Sequence, residues 1–95
     1  MYLRIVSAAV QVGQTKEIAT RWEANVGARL KQLPGFQHAY FAGNRDTGAV
    51  MGVTLWDTPP DEATLLQTMQ EFQPKVADIM TGPPTVADYE VLVEL

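Results

Sequence analysis

Leu33-Pro34-Gly35-Phe36 is where this chain must turn. Proline fixes φ and lacks a backbone N–H, and glycine enters the positive-φ region at no steric cost. A helix arriving at Leu33 therefore ends there and the chain leaves in a new direction. Upstream, from Thr15 onward, Ile18, Trp22, Val26, Leu30 and Leu33 recur every three or four positions, while Glu17, Arg21, Glu23, Asn25, Arg29 and Lys31 fall between them. That is the period of an amphipathic helix. Gly27 inside this run costs about 1 kcal/mol relative to alanine, so either a neighbouring backbone approaches there or the helix is locally weak. Downstream, Phe36 to Ala42 reads as a strand, and the loop Gly43-Asn44-Arg45-Asp46-Thr47-Gly48 is made of residues suited to hairpin turns.

The remaining elements follow by pattern. Tyr2 to Val10 is rich in β-branched and aromatic residues and reads as the first strand. Ala49 to Trp56 reads as the third, with Ala49, Met51, Val53 and Leu55 on one face and Val50, Gly52, Thr54 and Trp56 on the other. Neither face is polar, so both need covering. Thr58-Pro59-Pro60-Asp61-Glu62 predicts a helix start with Thr58 as N-cap. Leu65, Leu66, Met69, Phe72, Val76, Ile79 and Met80 mark the stripe that follows. Pro74 within it predicts a kink, or a first helix ending near Phe72 and a shorter one starting at the proline. Val86 to Leu95 alternates as a fourth strand. The order β-α-β-β-α-β is the ferredoxin-like split βαβ motif, an α+β single domain over residues 1–95 with an antiparallel four-stranded sheet and both helices on one face.

Composition bounds the chemistry. Ninety-five residues bury a modest core, and 46% hydrophobic against 19% charged residues is apolar for so short a chain, which predicts self-association. Seven basic and eleven acidic side chains give a formal net charge of −4 with no basic run, which argues against nucleic acid. There is no cysteine and one histidine, so no disulfide, thiolate nucleophile or protein-built transition-metal centre is expected. The first strand is too short to span a bilayer and lacks the pattern of a secretion signal, and the chain reads as cytoplasmic with no membrane partner.

The first helix closing in Leu33-Pro34-Gly35-Phe36, the third strand closing in Trp56 and the acidic, proline-rich start of the second helix together resemble the antibiotic biosynthesis monooxygenase-like family of dimeric α/β barrels. The resemblance implies a homodimer whose two sheets pack face to face, with a small-molecule cavity between sheet and helices in each subunit. It further implies relatives that include cofactor-free oxygenases of aromatic polyketides, haem-degrading enzymes and quinol-related monooxygenases. Haem degradation is disfavoured, since this chain has no Asn in its first strand and neither Trp nor His between Pro60 and Met80. The polyketide oxygenases pair the third-strand Trp with an Asn where this chain has Gly52, so only Trp56 carries over.

His38 is the one histidine, and simple alternation places it on the same strand face as Phe36 and Tyr40. On a cavity wall it would act as a base towards a phenolic substrate, with Tyr40 as a neighbouring donor. A structural histidine is the plainer reading. Trp56 would stack on a flat aromatic ligand or simply pack, and Trp22 and Phe72 would form the opposite wall or the core. Arg4 is read as an ion-pair partner for Asp88 or Glu90, and Asp61-Glu62 as helix-dipole charge. These readings favour a homodimeric, cofactor-independent monooxygenase-like protein acting on an aromatic or quinone-like molecule. A non-catalytic binding or structural dimer is the first alternative, and an isomerase or lyase of the same barrel superfamily the second. A cavity reaching His38 would favour the enzyme, and an interface packed solid by Trp22, Met69 and Phe72 the non-catalytic dimer.

Overall fold

The computed structural model describes residues 1–95. Strands β1 (Tyr2–Ala9), β2 (Phe36–Gly43), β3 (Ala49–Trp56) and β4 (Thr85–Glu90) form one sheet in the order β2-β3-β1-β4, with every neighbouring pair antiparallel. Helices α1 (Thr15–Trp22) and α2 (Ala28–Leu30) join across a π-helical turn, Glu23–Gly27, and α3 (Glu62–Val76) links β3 to β4. This is the α+β ferredoxin-like arrangement. Burial alternates along β3, and Val50, Gly52, Thr54 and Trp56 are the covered residues. Their partners on β1 are Ala8, Val6, Arg4 and Tyr2, so those residues share the helix-covered face. The other face, with Leu3, Ile5, Met51, Val53 and Leu55, carries no element of this chain.

Several local expectations are revised. The first helix is not uniform: its second alternative, local weakness, is the one realised, as a π turn containing Gly27. A Cβ there would meet only Trp22, at 3.8 Å. Asn25 bridges this segment to the end of α3, donating from Nδ2 to the Arg21 carbonyl at 2.8 Å and accepting from Lys75 Nζ at 3.0 Å. Arg21 adds a forked pair with Asp78, whose carboxyl it holds below the ordinary range. The N-cap of α3 is Asp61 rather than Thr58. The two prolines precede the helix, and the Asp61 carboxylate accepts from the Ala63 amide at 3.2 Å and the Thr64 hydroxyl at 2.7 Å. Pro74 does not split the helix, which runs on to Val76; the proline sits in its last turn, where little helix remains to be broken. Strand β4 stops at Glu90. Leu92, Val93 and Leu95 beyond it are exposed.

The core lies between the covered sheet face and the helices: Ile18, Val26 and Leu30 from the first helical segment, Leu65, Phe72 and Val76 from α3, and Val50 and Trp56 from β3. Trp56 is the most buried large side chain, at 1% exposure. Its ring meets Phe36 edge-on at 5.5 Å, and its indole N–H donates to Thr54 Oγ1 at 2.9 Å. Two positive-φ glycines fix the turns. Gly35, at φ +81°, closes the helix-to-strand reversal, as the Pro-Gly pair requires. Gly48, at φ +80°, ends the β2–β3 hairpin and accepts from the Val10 amide at 2.8 Å; a Cβ there would lie 2.1 Å from the Val10 carbonyl oxygen. Gly48→Ala is therefore expected to cost about 2 kcal/mol or more, from backbone strain together with the forced loss of that junction. Urea denaturation checks this, and an unchanged midpoint would contradict the geometry.

Candidate functional site

Between the covered sheet face and the helices the packing is incomplete. A cavity of about 570 Å³ remains, of the size that holds a drug-sized ligand. Its floor is sheet: Val6 and Ala8 of β1, Phe41 of β2, Val50, Gly52 and Thr54 of β3, and Val86 of β4. Its roof is helix: Ile18, Trp22 and Val26 on one side, and Leu65, Met69, Phe72 and Val76 on the other. The lining is mostly hydrophobic. Charge enters at one place, where Arg4, Glu62 and Asp88 meet.

Trp22 shapes the floor. Its ring lies 5.2 Å from that of Phe41 at an interplanar angle of 37°, and its indole edge rests over Gly52, where an added Cβ would stand 3.4 Å from Nε1. Any side chain larger than alanine at position 52 would lift the indole into the cavity, so Gly52 sets the depth of the pocket. Trp22 is also the residue after which the helix opens into its π turn, a distortion frequent at functional positions.

The charged corner is built from three elements. Arg4 on β1 is only 9% exposed. It donates from Nε to Asp88 Oδ1 at 2.6 Å and from Nη2 to Asp88 Oδ2 at 3.0 Å, and Nη2 also reaches Glu62 Oε1 at the start of α3. The register places Arg4 directly opposite Asp88, one of the two acids read as its partner; the other, Glu90, stands opposite Tyr2. Hydrogen bonding from Arg4 holds the Asp88 carboxyl below the usual carboxylate range, and the Asp88 carboxylate in turn raises the affinity of Arg4 for its proton despite the cost of burial. Glu62, read from sequence as simple dipole charge, belongs to this cluster as well.

The predicted site residues divide. Trp22 and Phe72 both line the cavity. His38 and Tyr40 do not reach it, and His38 does not share a face with Phe36. β2 carries a bulge at Gln37, so that Phe36 pairs with Trp56 while His38 pairs with its neighbour Leu55. The extra residue inverts the alternation: Phe36, Ala39 and Phe41 turn to the helices, and His38 and Tyr40 to the bare face. Phe41 was thereby missed as a lining residue. The signal for it was the odd spacing of Phe36 and Phe41, two bulky rings that share a face only if the strand holds an extra residue. Trp56 lies on the covered face but under Phe36 and Thr54, outside the cavity wall. No three His, Cys, Asp or Glu side chains come together to hold a metal ion. No helix is long and apolar enough to cross a membrane.

These placements separate the two tryptophans. Trp56→Ala is expected to lose about 3 to 5 kcal/mol of stability, whereas Trp22→Ala is expected to cost less and to enlarge the cavity. Denaturation midpoints alongside binding of an aromatic probe check this, and a stability loss at Trp22 equal to that at Trp56 would show no cavity wall there.

No protein-family model matches the sequence, and no curated protein matches it by sequence. The fold, by contrast, has many counterparts. A Nitrosomonas europaea protein provisionally named an antibiotic biosynthesis monooxygenase superposes with a TM-score of 0.72 at 19% identity, covering 98% of this chain and 100% of that one. The monooxygenase from ActVA-Orf6 of Streptomyces coelicolor, solved with nanaomycin D, gives 0.72 at 16% identity over 99% of this chain and 89% of that one. A variant of SnoaB, a cofactor-independent oxygenase from Streptomyces nogalater, gives 0.70 at 14% identity over 99% and 95%. At such identities the likeness is one of architecture: this chain has the fold of the antibiotic biosynthesis monooxygenase structures, over essentially its whole length.

Proposed function

We propose that this protein is a homodimeric monooxygenase-like protein that binds an aromatic or quinone-like molecule between sheet and helices and oxidises it with dioxygen, without a bound cofactor. The observation that carries the reading is the cavity itself: about 570 Å³, walled by the rings of Trp22, Phe41 and Phe72, with one charged corner. Flat apolar walls fit a flat ligand, and a small number of polar groups at one end fit its orientation. The solved structures of the same fold include a cofactor-independent oxygenase and a nanaomycin D complex, which supports this class of ligand. In cofactor-free oxidation the substrate supplies the electrons. Deprotonation makes it an electron-rich anion that reduces dioxygen, and the protein's part is to hold it, take its proton and exclude water.

The dimer has its own support. The helix-free face presents Leu3, Ile5, Val53 and Leu55, flanked by the exposed Tyr40, Met51 and Tyr89. The accessible surface is 6145 Å² for a chain of 10.5 kDa, against about 5,400 Å² for a compact monomer of that mass. The excess of roughly 700 Å² is close to the ~800 Å² that one partner contributes to a standard interface. In such a dimer His38 lies under the partner sheet rather than beside the ligand.

That position of His38 favours a second reading, a dimer that binds its ligand without transforming it. An isomerase or lyase that used His38 as its base loses its support for the same reason. Incubation with a panel of hydroquinones and anthrones, with and without oxygen, separates the readings. Turnover that consumes dioxygen is expected; equal turnover without oxygen removes the oxygenase, and saturable binding with no turnover establishes the non-catalytic dimer. Sedimentation at micromolar concentration is expected to show a dimer, and Met51→Lys to shift it towards monomer with its circular dichroism unchanged. A wild-type monomer would overturn the barrel.

A further inference from the structure

We infer that the corner formed by Arg4, Glu62 and Asp88 is the subsite for a phenolic hydroxyl, with Arg4 holding the oxygen and Glu62 receiving its proton. The inference rests on the reading that the cavity takes an aromatic molecule, and it names the polar group that molecule carries.

The three side chains leave hydrogen-bonding capacity unused. The bonds from Arg4 to the two carboxylates employ Nε and Nη2, so Nη1 keeps its donors on a guanidinium that is nine-tenths buried against the cavity. Asp88 commits both oxygens to the fork, and Arg4 holds its carboxyl in the ionised form. Glu62 commits Oε1 alone and retains Oε2 as an acceptor. Its side chain is 72% exposed, which leaves it room to move and a route for a proton to water. Arg4 thus retains a donor and Glu62 an acceptor at the one charged corner of an apolar cavity, and a hydroxyl bound there accepts from the first and donates to the second.

Charge then selects the ligand class. One guanidinium and two carboxylates sum to −1, so an ionised carboxylic acid entering this corner meets net repulsion. A neutral phenol or hydroquinone does not, and it brings the hydrogen that the free Glu62 oxygen lacks. In the proton step the phenolic O–H bond breaks, the proton moves to Glu62 Oε2, and the electron pair stays on the oxygen beside Arg4. A phenol and a glutamate differ by about six pKa units in water. Arg4 lies beside the oxygen on which the charge develops and stabilises the phenolate there. A cross-strand ion pair accounts for Arg4 and Asp88 alone; it explains neither the recruitment of Glu62 from α3 nor the placement of all three on a cavity wall.

Three matched probes, 1-naphthol, 1-methoxynaphthalene and 1-naphthoate, test the subsite through quenching of tryptophan fluorescence. Wild-type protein is expected to bind the naphthol about tenfold more tightly than either of the others. Glu62→Gln, at an exposed position, is expected to bring the naphthol to within about threefold of the methyl ether while leaving the ether unchanged, and Glu62→Asp to restore part of the preference. The proton step is read with 4-nitrophenol at a pH where the free phenol is protonated. Its phenolate absorption is expected to appear on binding to wild-type protein and not to the Gln variant. Equal affinity for naphthol and its ether overturns the subsite and leaves the aromatic cavity standing. Binding of none of the probes overturns both.

Discussion

Two helices on one side of a four-stranded sheet cannot serve both of its faces, and most of this molecule's behaviour descends from that inequality. Strand β1 lies in the middle, paired with β3 and β4, and its alternate residues go to opposite fates. Arg4, Val6 and Ala8 look into a helix-covered space, and Leu3 and Ile5 look out onto a bare one. Only 15 of 95 residues are buried, because half of the sheet's apolar side chains have nothing from their own chain to pack against. A chain this short has little core to spare, and the bare face is where its apolar surface is left uncovered.

The covered face is itself unfinished. Trp22 tilts against Phe41 and rests on Gly52, Phe72 comes down from α3, and between them the space stays open. The π turn that begins after Trp22 and the network joining Arg21, Asn25, Lys75 and Asp78 brace the two helical segments at one end, so that the cavity is held by its rim rather than filled. At the other end Arg4 ties β1 to β4 and to the first residue of α3. The charges that close the sheet edge onto the helix are the only charges the cavity presents.

The bulge at Gln37 has the largest functional consequence of any local irregularity. A single inserted residue carries His38 and Tyr40 from the helix-covered side of the sheet to the bare side, and brings Phe41 in their place. The lone histidine leaves the cavity wall, and the charges that remain there are those of Arg4, Glu62 and Asp88, with no change in the order of the secondary structure.

Element order, the turn at Pro34-Gly35, the two faces of β3 and the pairing of Arg4 with a β4 acid were all legible in the sequence, because each depends on a period or on a residue with restricted backbone geometry. The site was legible only in part. Trp22 and Phe72 could be placed by helical spacing, but Trp56 was buried by Phe36 and Thr54, partners twenty and two residues distant in the chain. Glu62 looked like helix-end charge until α3 brought it to Arg4. A local pattern determines which way a side chain points only while the strand keeps its register. Whether it then meets a cavity, a core or a second molecule is set by contacts between distant segments, and those exist only once the chain has folded.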